Sequence, residues 1–209
     1  MKQQILFYFV LILFFSCKNI KVQVEPDYYN LPTETEKGIN VVVEIPAGTN
    51  HKIEYNPKTK TFENDKIDGK IRIIKFLPYI GNYGFIPSTY MDPKRGGDGD
   101  ALDILVIGES QASKTVIEVL PIGVLLLKDK GELDSKIIAI PSDTKHQVIA
   151  VKSFQEFLVK YDAAKRMIED WFLNYKGDGE MELIGWRDEQ YARQEVEKWK
   201  VKKMKSSID

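Results

Sequence analysis

The chain has 209 residues, with 30 Lys plus Arg against 31 Asp plus Glu, two His, one Cys and a formal net charge of −1. A single Cys excludes an intramolecular disulfide scaffold, and with only two His it also excludes a Cys/His zinc finger; near-neutral charge argues against nucleic-acid binding through bulk positive charge. At 43% hydrophobic and 11% aromatic residues the chain can bury a sizeable core, and its length fits one domain with a small appendage.

Residues 1–17 read as a leader. Lys2 precedes an unbroken apolar run, Ile5–Phe15, of 11 residues. That is too short for a bilayer span of about 20 residues but suits the apolar region of a signal peptide. Ser16-Cys17 follows at once, which resembles a bacterial lipoprotein signal in which Cys17 is lipidated. Phe14 and Phe15 stand where a Leu and a small residue are usual, and an ordinary signal peptide or anchor with an incidental Cys is the alternative. The expectation is an exported protein, lipid-anchored to a bacterial membrane on its periplasmic or cell-surface face, or a cytoplasmic one if the leader is not processed. Residues 18–38 are polar, carry Pro26, Pro32 and Gly38, and read as a tether or extended arm. The folded domain is then 39–209.

Within that domain strands come first and helices last. Ile39–Ile45 is a β-branched run. Lys52–Tyr55, Lys60–Glu63 and Ile71–Phe76 are short strands set off by turn residues. Leu102–Ile107 is a strongly apolar strand, Val116–Leu127 a strand pair broken at Pro121–Gly123, and Lys136–Ile140 a further strand. Ser153 with Glu156 forms a capping box, and Phe154, Phe157, Leu158, Tyr161, Ala164, Ile168 and Trp171 recur at helical spacing. A second helix runs from about Glu189 to Lys205. Many short strands followed by two helices predict an α+β domain, a small β-barrel with helices packed outside.

The chemistry lies in carboxylates. Asp98, Asp100 and Asp103 fall within six residues, just before the apolar strand. Converging on one site they would repel strongly, and a hard divalent cation with oxygen ligands removes that cost. A solvated acidic loop, the usual fate of an Asp/Gly cluster, is the reading the cluster alone favours. An EF-hand is excluded: Asp103 stands where Gly is required, and a buried strand follows. Asp129, Glu132, Asp134 and Lys136 sit on a hairpin that alone reads as a charged turn. Tyr79–Ile86 is an aromatic and glycine stretch, either a phosphate-facing set of hydroxyls or a core corner. His51 is read as a turn residue and His146 as solvated. The Lys198, Lys200, Lys202, Lys203 and Lys205 stripe reads as a solvated helix face.

The run DGDALDILVIGE resembles the signature of the family I soluble inorganic pyrophosphatases. So do VVVEIP at 41–46, KIE at 52–54, GKIR at 69–72, YIGNYGFIP at 79–87, DKGELDSK at 129–136 and WFLNYK at 171–176, in the family's order and spacing. Ala101 replaces the family's usual proline. The resemblance implies a closed five-stranded, OB-like barrel and hydrolysis of inorganic diphosphate with several Mg²⁺ ions. It assigns Asp98, Asp103, Asp129 and Asp134 to metal. Asp100 becomes the base acting on a metal-bound water nucleophile. Lys52, Arg72, Tyr83, Tyr175 and Lys176 fall to the substrate, and Glu44, Glu54 and Lys136 to supporting roles. It also implies a homo-oligomer, dimer or hexamer. The seven carboxylates and four cations of this set carry a formal −3, which two Mg²⁺ would turn to +1, so metal must precede or accompany pyrophosphate. The rival readings are a lipoprotein that hydrolyses polyphosphate or other phosphoanhydrides, and a non-catalytic lipoprotein that binds metal or phosphate.

Overall fold

A computed structural model describes residues 25–177 and 179–201. The leader, Cys17, the first part of the arm and Lys202, Lys203 and Lys205 lie outside the described residues. Eleven strands and two helices follow in chain order: β1 (Ile39–Ile45), β2 (Ile53–Asn56), β3 (Thr61–Asn64), β4 (Lys66–Ile67), β5 (Lys70–Ile71), β6 (Asn82–Phe85), β7 (Asp103–Val106), β8 (Val116–Asp129), β9 (Glu132–Leu133), β10 (Lys136–Pro141), α1 (Phe154–Asn174), β11 (Met181–Arg187) and α2 (Glu189–Trp199). Strands β1, β6, β7, β10 and β8 are paired in that order, and β8 pairs with β1 again, closing a five-stranded ring. β11 and β9 extend the far half of β8. The expected barrel with helices outside is the observed architecture.

The strand expected to break at Pro121–Gly123 is instead one continuous strand of 14 residues. Its pairing with β10 shifts there: Ile138 faces Gly123 while Ala139 faces Pro121, leaving Ile122 as the extra residue of a bulge. The bulge bends β8 so that one half closes the ring and the other carries β11. Ile71–Phe76 is not a strand beyond Ile71. β4 and β5 form a two-residue ladder, and Ile73 makes only an isolated bridge to His51. With no longer partner beside it, the run leaves Ile71, Phe76 and Leu77 exposed. β6 and β11 were not foreseen. In β6, Gly84 lies so close to β1 that an added Cβ would meet the Val42 carbonyl oxygen at 1.9 Å.

Alternation along the strands splits the core in two. Leu105, Leu125, Leu127, Ile138 and Ile140 pack with Phe157, Ile168, Trp171 and Phe172 of α1. Ile104, Val106, Val124, Ile137 and Ala139 pack with Ala192, Val196 and Trp199 of α2. α1 starts as expected: Ser153 Oγ accepts the Glu156 N–H at 3.2 Å, while Glu156 reaches back to the Lys152 N–H, one residue before the cap. The helix is kinked at Tyr161 (φ −134°, ψ 34°). Trp171 Nε1 donates to the Leu77 and Pro78 carbonyls at 3.0 Å, anchoring the last turn of α1. α2 stops at Trp199, not near Lys205. Lys200 turns extended and bridges Thr89, so tertiary pairing takes the backbone from the helix. Lys198 and Lys200 are paired, to Glu195 and to Glu34 and Glu197.

The described end of the arm is docked on the barrel. Tyr28–Asn30 is a turn of 3₁₀ helix, and Tyr28 is buried edge-on against Tyr55 (5.3 Å between centroids) and Phe62 (5.1 Å). Thr33 Oγ1 donates to the Pro87 carbonyl at 2.8 Å.

Candidate active site

One cleft, with a volume near 210 Å³, receives side chains from β1, β2, β6, β7, the β8–β9–β10 hairpin, the 98–101 loop and the end of α1. A shallower depression beside Glu34 and Arg193 is larger, near 520 Å³, so the cleft is marked by its lining and not by its size. Every active-site residue expected from the sequence lines it: Glu44, Lys52, Glu54, Arg72, Tyr83, Asp98, Asp100, Asp103, Asp129, Asp134, Lys136, Tyr175 and Lys176. His51 and His146 do not; His51 Nδ1 lies 3.2 Å from Asn64 Oδ1 at the surface.

Strand register builds the floor. β7 and β10 are parallel and Lys136 is the direct partner of Asp103, with Asp134 two residues earlier on the same face. The Lys136 ammonium, 2% exposed, is bonded to both carboxylates and lies 5.6 Å from the Tyr83 ring centroid and 6.0 Å from that of Phe172. Burial opposes its charge, yet Asp103 and Asp134 hold it well above the usual lysine range. Burial alone would raise Asp134, but Lys136, then Lys176 and Lys52, hold it low. At Asp103 burial wins over Lys136, with Asp134 adding, so Asp103 is the first of the two to take a proton.

The 98–101 loop is shaped by its own carboxylates. Asp98 Oδ1 accepts the Asp100 N–H at 3.0 Å across Gly99, whose φ of +86° suits glycine. Asp98, exposed as a whole residue, is nonetheless pushed up to about 6 by desolvation of its carboxylate and by Asp103, against the pull of that N–H. Asp100 Oδ1 accepts from the Ala101 N–H at 2.8 Å, a donor that the proline expected here would lack. Lys130-Gly131, both at positive φ, form the two-residue turn that returns the chain from Asp129 to Glu132. Glu44 is buried on β1 and accepts the Tyr55 N–H at 2.7 Å. Burial pushes its pKa well up, with Asp103, Asp100 and Glu54 adding.

The cations are all paired. Lys52 bonds Glu54, Arg72 bonds Asp65 at 3.1 Å and Lys176 bonds Asp129 at 2.6 Å. Tyr175 stacks on Trp171 (4.7 Å, 11°), which sets Lys176 beside the hairpin. Among the described residues no three His, Cys, Asp or Glu side chains are arranged as a metal shell. The reason is visible in the ion pairs: Lys136 stands between Asp103 and Asp134, and Lys176 holds Asp129. The donor set still fits a hard divalent cation, being all oxygen. Asp129 Oδ1 is buried with no hydrogen-bond partner among the described residues, an uncompensated acceptor of the kind a cation would satisfy. Asp65, Tyr79 and Tyr29 also belong to this neighbourhood and had no assigned role. Tyr79 lay within the quoted YIGNYGFIP block. Tyr29 lies in the polar arm, where no motif marks it.

The inorganic pyrophosphatase family model matches residues 41–204. The chain is 35% identical over 180 residues to the inorganic pyrophosphatase of Neisseria meningitidis serogroup B, covering 80% of this chain and 93% of that one. Its structure is similar to a crystal structure of an inorganic pyrophosphatase from Neisseria gonorrhoeae (TM-score 0.66, 29% identity, 84% of this chain and 96% of that chain). It is also similar to that of the type I inorganic pyrophosphatase from P falciparum (TM-score 0.74, 28% identity, 83% and 61%). A barrel of this topology, a cleft of this composition and sequence similarity over most of its length together make the chain a member of the inorganic pyrophosphatase family.

Proposed function

We propose that the chain hydrolyses inorganic pyrophosphate to two phosphates, with Mg²⁺ as cofactor. The observation that carries this reading is the convergence of eight carboxylates, four cations and five tyrosines on one cleft. Water oxygen attacks one phosphorus, the bridging P–O bond breaks, and the second phosphate leaves; the proton of the water passes to Asp100. Asp98, Asp103, Asp129 and Asp134 would hold Mg²⁺. When bound, the metal lowers the pKa of the attacking water and offsets charge on both phosphates. Lys52, Arg72, Tyr83, Tyr175 and Lys176 grip phosphate oxygens, Arg72 as a fork and the lysines as point charges. Glu44, Glu54 and Lys136 shape the field around them. Phosphoryl transfer needs mainly positioning and charge neutralisation, so no His or Cys is required.

The test is phosphate release from pyrophosphate, polyphosphate and nucleoside diphosphates, with Mg²⁺ and with chelator. Pyrophosphate is expected to be preferred and activity to vanish without divalent metal. Preference for a longer substrate, or turnover in chelator, would overturn the reading. Asp100→Asn should cut turnover by about 10²-fold or more while Mg²⁺ binding persists.

Export and lipidation at Cys17 belong to the same proposal, as does a homo-oligomeric state. Among the described residues, which leave out the leader, no helix is long and apolar enough to cross a membrane. Labelled-palmitate incorporation lost in Cys17→Ala would support the anchor. Light scattering reads the assembly.

A further inference from the structure

Tyr29 comes from the arm, outside the 41–204 stretch that the family model matches. Its hydroxyl donates to Asp100 Oδ1 at 3.0 Å, the same oxygen that accepts the Ala101 N–H. Both bonds therefore land on one oxygen, and among the described residues Oδ2 carries none. The ring is held edge-on between Phe85 (4.6 Å, 68°) and Tyr55 (5.2 Å, 88°), and the Tyr29 carbonyl accepts the Ser88 N–H at 2.8 Å. Each of these contacts restricts where the hydroxyl can point. Burial, then the charges of Asp100 and Glu44, push the phenol up, so it remains a proton donor through the working pH range.

We infer that Tyr29 is a positioning residue for Asp100: with the Ala101 N–H it clamps Oδ1 and presents Oδ2 to the water whose proton Asp100 takes. The inference rests on Asp100 being the base of the proposed reaction. It gives the docked arm a role in the active site, where the sequence alone offered only a tether. Fixing a reacting group in a productive orientation is worth rate and little affinity, because the interaction is realised as the proton moves.

The experiment uses the full chain in detergent. Tyr29→Phe keeps the ring and removes the donor. It is expected to lower kcat about tenfold, with KM for pyrophosphate and the half-activating Mg²⁺ concentration within twofold of the parent and an unchanged unfolding midpoint. In an Asp100→Asn background Tyr29→Phe should cause no further loss. A kcat within twofold of the parent, a loss carried by KM alone, or the same tenfold loss with and without Asp100 would each overturn the positioning role. Absence of Mg²⁺-dependent phosphate release in the parent would instead overturn the proposed function, and the role with it.

Discussion

Replacing Lys136 by Met removes a charge that two buried carboxylates depend on, at nearly constant side-chain volume. Breaking a buried ion pair by deleting one partner costs about 3–5 kcal/mol, because the remaining charge is left uncompensated. Here the ammonium is 2% exposed and Asp134 9%, but Asp103 is 24% exposed and can recruit water, so the lower end applies, about 3 kcal/mol. For a chain of this size that corresponds to a drop in unfolding midpoint of roughly 6–12 °C. Thermal unfolding of Lys136→Met and parent in chelator at pH 8 reads it directly. Two further readings use the same samples. Lowering the pH should shrink the deficit, since Asp103 is the first of the two to take a proton and its protonation relieves the repulsion with Asp134. Adding Mg²⁺ should stabilise the variant more than the parent, because the cation takes the place of the lost charge; at a hundredfold excess over its dissociation constant binding contributes about 2.7 kcal/mol. A midpoint within 2 °C of the parent in chelator would refute the reasoning about the buried pair. Equal Mg²⁺ stabilisation of both proteins would refute the assignment of Asp103 and Asp134 to metal.

Other expectations follow from local geometry. Asp98 is raised to about 6, so its favourable contribution is present below the unfolded value near 3.9 and is lost as pH climbs through 6. In chelator the parent should therefore gain stability relative to Asp98→Asn between pH 7 and pH 5; parallel pH profiles would contradict this. Ser153→Ala removes the cap of α1 and should cost about 1 kcal/mol, or roughly 2–4 °C by calorimetry. Gly84→Ala places a Cβ 1.9 Å from the Val42 carbonyl oxygen, between two strands of the closed ring, and should abolish cooperative unfolding at the parental midpoint in a circular dichroism melt.

What was legible in the sequence depended on how strongly local pattern and tertiary pairing agreed. β1, β7 and β10 are β-branched or apolar runs buried on both faces, and Ser153 with Glu156 marks the start of α1 from four residues alone. β6 alternates Asn and Gly, which disfavour strands, with Tyr and Phe, which favour them, and is a strand because β1 and β7 flank it. β11 is interrupted by Gly185 at φ +141° and by a register shift between Leu183 and Gly185, which hides its alternation. The cleft residues were legible for a different reason. The Asp98–Asp103 cluster alone could not distinguish a solvated loop from a site, and only the ordered set of motifs joined it to Lys52, Arg72 and Lys176. Tyr29 was invisible because its partner, Asp100, is 71 residues away and no motif spans the arm.

The pairing of Lys136 with Asp103 ties chemistry to folding fidelity. Ile137 and Ala139 point to one half of the core, Ile138 and Ile140 to the other, and Lys136 shares the parity of the second pair. A one-residue slip of β10 along β7 would exchange the two halves' side chains and send the ammonium to the α2 side, away from both carboxylates. A misregistered barrel is thus penalised twice, by packing and by a stranded charge. One hydrogen-bond ladder sets both the packing of the core and the seat of the Lys136 charge.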